Sequence, residues 1–293
     1  MNILVTGSTS FVGREIMPIL AKKFNVVGIW NHSKPASQTR LFEISRNIRF
    51  VRADLRQCVN LREISGPIDA VVHIAALSRH EKTICEYFQS NVESTNNLTK
   101  ICKKLDIKTC INISTISVHG DIDGGVVLET SPFTNPSPYG VSKLISERIL
   151  ETCGYFDRVL SLRLPSVLGL GASRHWLSGV LEKVKQNENI LIYNPNGLFN
   201  NTILATDLGN FIADLLSQNW SGSHALPLGA SLPIKVKDVV KLIIDLCNST
   251  SQIDFSEGGQ KPFYISSERA AQALGYQARS TVETITNYVQ VSL

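Results

Sequence analysis

No stretch of 18 consecutive apolar residues occurs in the 293-residue chain, so no membrane-spanning helix is expected. No five like charges follow one another either. The 29 Lys and Arg set against 25 Asp and Glu leave a scattered net charge of +4, which forms neither the basic stripe of a nucleic-acid binder nor a membrane-surface patch. Six cysteines, Cys58, Cys85, Cys102, Cys110, Cys153 and Cys247, contain no C-x-x-C pair, and reduced thiols in a cytosol are the expectation. No cluster of His, Asp, Glu and Cys has metal-ligand spacing, so no metal is expected. Internal repeats and low-complexity segments are missing. Met1-Asn2 runs straight into Ile3-Leu4-Val5, too short for the apolar core of a signal peptide; a soluble, cytoplasmic protein without a leader is expected.

What is present is apolar mass in short pieces. With 43% hydrophobic residues the chain can bury a full core in one or two domains. Short β-branched runs, Ile3 to Thr6, Val26 to Trp30, Ile48 to Val51, Ala70 to Ala75, Thr109 to Ser114 and Val159 to Leu164, alternate with helical patterns at Phe11 to Lys23, Glu81 to Leu105 and Tyr139 to Cys153. Apolar strands separated by helices predict an α/β fold, a doubly wound parallel sheet covered on both faces. After Leu164 the rhythm loosens around Pro165, Gly169, Gly171, Pro195 and Gly197, with one helix near His175 to Lys185 and another at Thr206 to Ser217. Residues 1–165 are therefore read as a dinucleotide-binding domain to which 200–218 returns, and 166–293 as a smaller substrate-binding subdomain.

Thr6-Gly7-Ser8-Thr9-Ser10-Phe11-Val12-Gly13 follows the first strand and opens the first helix. Gly7 can turn with positive φ and Gly13 lets helix and strand pack closely, so the helix start can face a diphosphate. Ser10 replaces the middle glycine of the usual pattern. A tight turn without a ligand is the competing reading. The second strand ends at Asn31-His32-Ser33-Lys34 with no carboxylate to hold ribose hydroxyls, a cluster that tolerates a 2′-phosphate and points to NADP over NAD, unless His32 and Lys34 are plain solvated residues. Asp54-Leu55 closes the third strand, where Asp54 either meets adenine or caps the next helix.

Tyr139 and Lys143 stand four apart at the start of a helical segment, on one face. An ammonium beside a phenol favours the phenolate and is expected to lower its pKa toward working pH. Thr115, at the end of the fifth strand, can meet the same substrate oxygen. Together these groups suit hydride transfer between a carbinol carbon and nicotinamide.

On Thr6-Gly7…Gly13, Asp54-Leu55, Val72-His73-Ile74-Ala75-Ala76, Asn91-Val92…Thr95-Asn96-Asn97-Leu98, Ser114-Thr115, Pro136…Tyr139…Lys143, Arg163-Leu164-Pro165, Ala205-Thr206-Asp207-Leu208 and Ser267-Glu268-Arg269-Ala270…Leu274-Gly275-Tyr276, the chain resembles the extended short-chain dehydrogenase/reductases. These are Rossmann-fold, NAD(P)-dependent epimerases, dehydratases and reductases of nucleotide-activated sugars. The resemblance makes Thr115, Tyr139 and Lys143 the catalytic trio. It implies a cofactor site of Gly7, Thr9, Ser10, Phe11, Val12, Gly13, Asn31, His32, Ser33, Lys34, Asp54, Leu55, Ala75, Ala76, Asn91 and Pro165, with Tyr139 and Lys143. For Asn91 it implies support of the active-site helix, with helix capping as the alternative. The implied substrate set is Ser78, Ser117, Ser166, Arg174, His175, Trp176 and Asn200.

Departures from the family narrow the reaction. Dehydratases that make 4-keto-6-deoxy sugars place Asp-Glu after the Thr, where this chain has Ile116-Ser117. The epimerase-reductases resembling GDP-fucose synthases carry a Cys two places beyond their catalytic hydroxyl, where Ser117 stands. Phe199-Asn200-Asn201-Thr202 occupies the place of an arginine that many relatives use for the nucleotide, although Arg174-His175-Trp176 can clamp a diphosphate and stack a ring. The reading favoured is a 4-keto reductase of a nucleotide-linked sugar. A 4-epimerase with tightly held NAD and a non-catalytic NAD(P)-binding sensor stand as alternatives. By resemblance a homodimer is expected, built on the helices at Glu81 to Leu105 and Tyr139 to Cys153.

Overall fold

The computed structural model describes residues 1–33, 46–57, 64, 66–78, 82–256, 258–259 and 261–293, in two compact units. The first comprises Met1–Gly120, Phe133–Arg163 and Leu208–Leu226; the second comprises Asp121–Pro132, Leu164–Asp207 and Pro227–Leu293. Two stretches thus lie elsewhere than the sequence reading put them. Residues 121–132 belong to the second unit because Gly125–Val127 pairs in parallel with Phe263–Ile265, and Thr202–Leu204 stays there by pairing with Ser166–Leu168. Both pairings join residues far apart in the chain and leave no local signal.

In the first unit, strands β1 (Asn2–Thr6), β2 (Asn25–Trp30), β3 (Ile48–Arg52), β4 (Ala70–His73) and β5 (Thr109–Thr115) pair in parallel in the order β3-β2-β1-β4-β5. Strands β7 (Arg158–Leu164) and β12 (Gly222–Pro227) extend the sheet beyond β5, giving seven strands among the described residues. The order reverses between β1 and β4, and the crevice at such a reversal is where open α/β sheets bind ligands. Helix α1 (Phe11–Leu20) connects β1 to β2. Its N-cap is Ser10, whose side chain accepts Gly13 N–H, and it stops three residues short of the predicted Lys23.

The predicted helix from Glu81 to Leu105 divides; Glu81 itself lies outside the described residues. Helix α2 (Ile84–Tyr87) opens on a Thr83/Glu86 capping box, the chain widens into a π-helical turn over Phe88–Glu93, and α3 (Ser94–Lys104) follows. Helix α4 (Pro138–Thr152) begins with Ser137 as N-cap and a proline in its first turn. Leu98, Ile101 and Cys102 of α3 and Leu150 of α4 bury against Leu4, Val71, Cys110 and Val159 of the sheet. Toward the carboxyl ends of the strands the same layer turns polar, with Thr6, His73, Asn112, Ser114, Ser161 and Arg163 all buried.

The second unit has its own core. Helix α5 (Trp176–Lys185), strand β9 (Ile190–Tyr193), helix α7 (Val236–Cys247) and helix α9 (Thr281–Ser292) bury Leu177, Leu181, Ile190, Val239, Ile243, Ile285 and Val289 together. Among the described residues no helix is long and apolar enough to cross a membrane.

Candidate active site

Gly7 sits at φ +67°, and a β-carbon there would lie 2.7 Å from Ala75 N and 2.8 Å from Ala75 Cα. A β-carbon on Gly13 would strike the Gly7 carbonyl and Ser8. Glycine at both positions lets the loop after β1 pack directly against Ala75 and against the start of α1, leaving a cradle walled by backbone rather than side chains. Four N–H groups at a helix start lack intrahelical partners. Here Ser10 N bonds Gly7 O and Gly13 N bonds Ser10 Oγ, which leaves Phe11 and Val12 N–H for a ligand. An anion at that point meets both donors and the positive end of the helix. The cradle fits a dinucleotide's diphosphate.

At the end of β2, Asn31 is half-buried and His32 and Ser33 are exposed; Lys34 lies outside the described residues. Asp54 carries a partner that the sequence reading missed. Arg56 grips its carboxylate through Nε at 3.0 and 3.1 Å and Nη2 at 2.6 Å, and Arg56 N–H donates to Oδ1 at 3.0 Å. That guanidinium, helped by Asn31, holds the Asp54 carboxyl at about 2. Leu55 is buried. Ala75 and Ala76 are half-buried and Ser78 is exposed.

Thr115 ends β5 and caps the short 3-10 turn Ile116–His119, its Oγ1 accepting Ser117 N–H at 3.2 Å and donating to Ser117 Oγ at 3.2 Å. Tyr139 stands in the first turn of α4, where its hydroxyl hydrogen-bonds Thr115 and its ring lies 6.0 Å from that of Tyr87. The approach is close because residue 140 is glycine: a β-carbon there would collide with Ser117 O. One turn along, Lys143 is only 1% exposed.

The expected lowering of the Tyr139 pKa is reversed. Burial pushes the phenol up to about 12, against the pull of the Thr115 hydrogen bond. It is the lysine that moves down, to about 8, because burial disfavours its ammonium more than Glu147 one turn further on favours it. A spacing of four residues determines the face of the helix but not its depth, and depth decides the sign.

Asn91 lies inside the π turn and is 1% exposed. Its Oδ1 accepts Leu77 N–H at 2.7 Å, and its Nδ2 donates to Leu77 O at 3.1 Å and Ser142 Oγ at 2.8 Å. Ser142 in turn donates to Tyr139 O at 2.7 Å. A second chain of bonds runs beneath. Thr6 Oγ1 accepts Ile74 and Ala75 N–H at 3.1 and 3.2 Å, which ends β4 at His73 rather than at the predicted Ala75. Its own proton then faces His73 Nδ1 at 2.7 Å, so His73 Nε2 donates to Thr95 Oγ1 at 3.1 Å, and Thr95 donates to Asn91 O at 2.6 Å. Burial, with Lys143 nearby, pushes His73 down to about 3, so the ring is neutral.

The remaining predicted residues lie in the second unit. Pro165 and Ser166 are half-buried, at and just before strand β8 (Ser166–Leu168). Arg174 is exposed at φ +65°. His175 caps α5, its Nδ1 accepting Ser178 N–H at 3.1 Å, so that Nε2 carries the hydrogen. Trp176 is 41% exposed and meets Phe199 edge-on at 5.2 Å. Both line a groove of about 360 Å³ with Leu191, Tyr193, Asn201 and Lys261. Asn200 is a correction: it is 1% exposed, and its amide bonds Ala230 O at 2.7 Å, Ile265 O at 2.8 Å and Ile265 N–H at 2.7 Å. It ties the chain together and has nothing left to offer a substrate. The buried Oδ1 of neighbouring Asn201 does lack a partner.

The family model for the NAD-dependent epimerase/dehydratase family matches residues 3–204. The uncharacterized UDP-glucose epimerase YtcB of Bacillus subtilis is 24% identical over 99% of this chain and 97% of its own length. A UDP-glucose 4-epimerase of Neisseria gonorrhoeae is 31% identical over 51% of this chain and 47% of its own. Among solved structures, a UDP-glucuronic acid 4-epimerase from Bacillus cereus in complex with NAD superposes with a TM-score of 0.84 at 22% identity, covering 99% of this chain and 98% of that one.

Proposed function

Because the chain belongs to the NAD-dependent epimerase/dehydratase family, we propose that it inverts a carbinol centre, C4, of a nucleotide-activated sugar, using NAD that it holds throughout the cycle. The observation that carries this reading is the hydroxyl pair of Thr115 and Tyr139, joined by a hydrogen bond at the carboxyl end of β5 with Lys143 buried one turn along α4. NAD bound there would supply a hydride acceptor and donor for that carbon. As the phenolate, which the Lys143 ammonium stabilises, Tyr139 takes the proton from the sugar hydroxyl, and as the phenol it gives that proton back, while Thr115 hydrogen-bonds the same oxygen.

Gly7, Thr9, Ser10, Phe11, Val12 and Gly13 would hold the cofactor diphosphate, and Asp54 with Leu55 would meet the adenine. Two preferences of the sequence reading find no support. The relatives described above are named epimerases rather than reductases, and NAD is the cofactor named with the Bacillus cereus enzyme. Arg56 is matched to the Asp54 carboxylate, which leaves it poorly placed to receive a 2′-phosphate. In the second unit, the aromatic groove around Trp176 and Phe199 offers stacking surface for the base, with Asn201 Oδ1 as an acceptor.

Purified protein incubated with UDP-glucose, UDP-glucuronic acid or UDP-N-acetylglucosamine and a trace of NAD should yield the C4 epimer by proton NMR, with no lasting absorbance at 340 nm. Stoichiometric NAD(P)H consumption with a 4-keto sugar would instead establish a reductase. Tight dinucleotide binding without turnover of any sugar would establish a sensor.

The partner proposed is a second copy. Ile84 and Phe88 on one helical segment and Val141 and Ile145 on α4 are 71%, 48%, 39% and 37% exposed, an apolar stripe at i,i+4 spacing on each. Light scattering should give twice the monomer mass for the native protein and the monomer mass for Phe88→Asp/Ile145→Asp.

A further inference from the structure

Glu147 and Arg163 are both buried, with 4% of each side chain exposed, and they bond through Nη2 to Oε2 at 2.8 Å and Nε to both oxygens at 3.2 and 3.3 Å. Ser114 Oγ also donates to Glu147 Oε1. Arg163 continues to His119 Nε2 at 3.4 Å and lies 5.1 Å over the ring of Phe133, on which His119 stacks. This node touches the segments that carry Thr115, Tyr139 and Lys143. Ser114 precedes Thr115 on β5, His119 ends the turn that Thr115 caps, and Glu147 follows Lys143 by one turn and Tyr139 by two on α4. Arg163 fastens all three to β7.

A buried ion pair of this kind is a weak source of stability, since well-packed apolar residues of equal volume do as well or better. Its geometric effect is not so easily replaced. Thr115 and Tyr139 must share one substrate oxygen to within a fraction of an ångström, and they come from a strand end and a helix start whose spacing is set by the backbone contact at Gly140 and by side chains. Lys143, for its part, faces His73 from β4, Cys110 from β5 and Glu147 from its own helix. Of these, Glu147 is the anion. His73 is neutral, and burial keeps the Cys110 thiol protonated by pushing it well up.

We propose that Glu147 is a positioning residue: fixed by Arg163 and Ser114, it sets the spacing of Thr115 from Tyr139 and keeps Lys143 charged. The proposal rests on the catalytic reading above, but half of it can be tested without a substrate.

In protein labelled with ¹⁵N-lysine, the Nζ titration of Lys143, assigned with Lys143→Met, should fall by at least about one pH unit in Glu147→Gln, a tenfold change in its ionisation constant. Because that variant leaves the Arg163 charge buried without its partner, Glu147→Gln/Arg163→Met removes both charges and should show the same fall. With the epimerised sugar, the alkaline limb of kcat should move down in step, kcat should drop ~10- to 100-fold, and KM should change little. Glu147→Asp should keep the limb and lose only part of kcat. A Nζ titration unmoved in the double variant overturns the proposal, as does a kcat limb unmoved while only the melting temperature falls. If the titration moves but no sugar is turned over by the native protein, the catalytic reading fails and the coupling of Glu147 to Lys143 stands.

Discussion

Tyr139→Phe should lower kcat ~10³-fold, within the range that a single general acid-base group contributes, while leaving the fold intact. The ring is kept, so its packing near Tyr87 at 6.0 Å is unchanged. Thr115 Oγ1 retains Ser117 as donor and acceptor partner, so no buried group is orphaned, and the loss of one hydrogen bond costs about 1 kcal/mol or less. The direction of the pKa adds a constraint. With the phenol raised to about 12 by burial, Tyr139 is neutral at pH 7 and must lose its proton before it can open the cycle as a base. Taking a proton then requires stabilisation of the phenolate that the Thr115 hydrogen bond does not supply alone. Lys143, near 8, is the group that can supply it. Initial rates by NMR, with melting curves on the same samples, check the expectation. A variant with full turnover removes Tyr139 from the chemistry.

The sheet was legible because its strands are continuous apolar runs, and β1, β2, β3, β5 and β7 end within one residue of where those runs end. Helix starts were legible for the same local reason. Ser10 and Ser137 cap α1 and α4 through bonds to residues three along. What depended on distant partners was not. Strand β4 stops early because Thr6, 68 residues upstream, takes the next N–H. The 3.6-residue period carries straight through Phe88–Glu93, where the chain is π-helical around Asn91. Asn200 occupies a loop position that reads as polar and available, yet its amide satisfies Ala230 and Ile265, 30 and 65 residues away. Arg56 and Glu147 left no mark because a charged side chain's partner is fixed by tertiary packing. The sign of the Tyr139 shift failed for the same reason, since it turns on burial, which spacing does not report.

Lys143→Met should abolish most activity and yet raise stability. Its ammonium titrates at about 8 in the folded protein against 10.5 for the ordinary side chain, so the folded state disfavours the charged form. That difference destabilises the fold by roughly 3 kcal/mol at neutral pH. The sign follows from proton counting. Between about pH 8 and 10.5 the unfolded chain holds a proton that the folded chain has released, so the native protein should grow more stable as pH rises through that window. Methionine has similar length and no charge to desolvate. It also leaves Glu147 matched, because Arg163 and Ser114 still hold that carboxylate. The variant should therefore melt about 5–10 °C higher at pH 7 and lose the alkaline gain in stability, while kcat falls ~10²- to 10⁴-fold for want of the charge that supports the phenolate. Calorimetry from pH 6 to 10 reads both effects. Equal melting temperatures with parallel pH dependence would mean that the lysine reaches water, and an ammonium in water could not act on Tyr139 with the strength that the reaction needs.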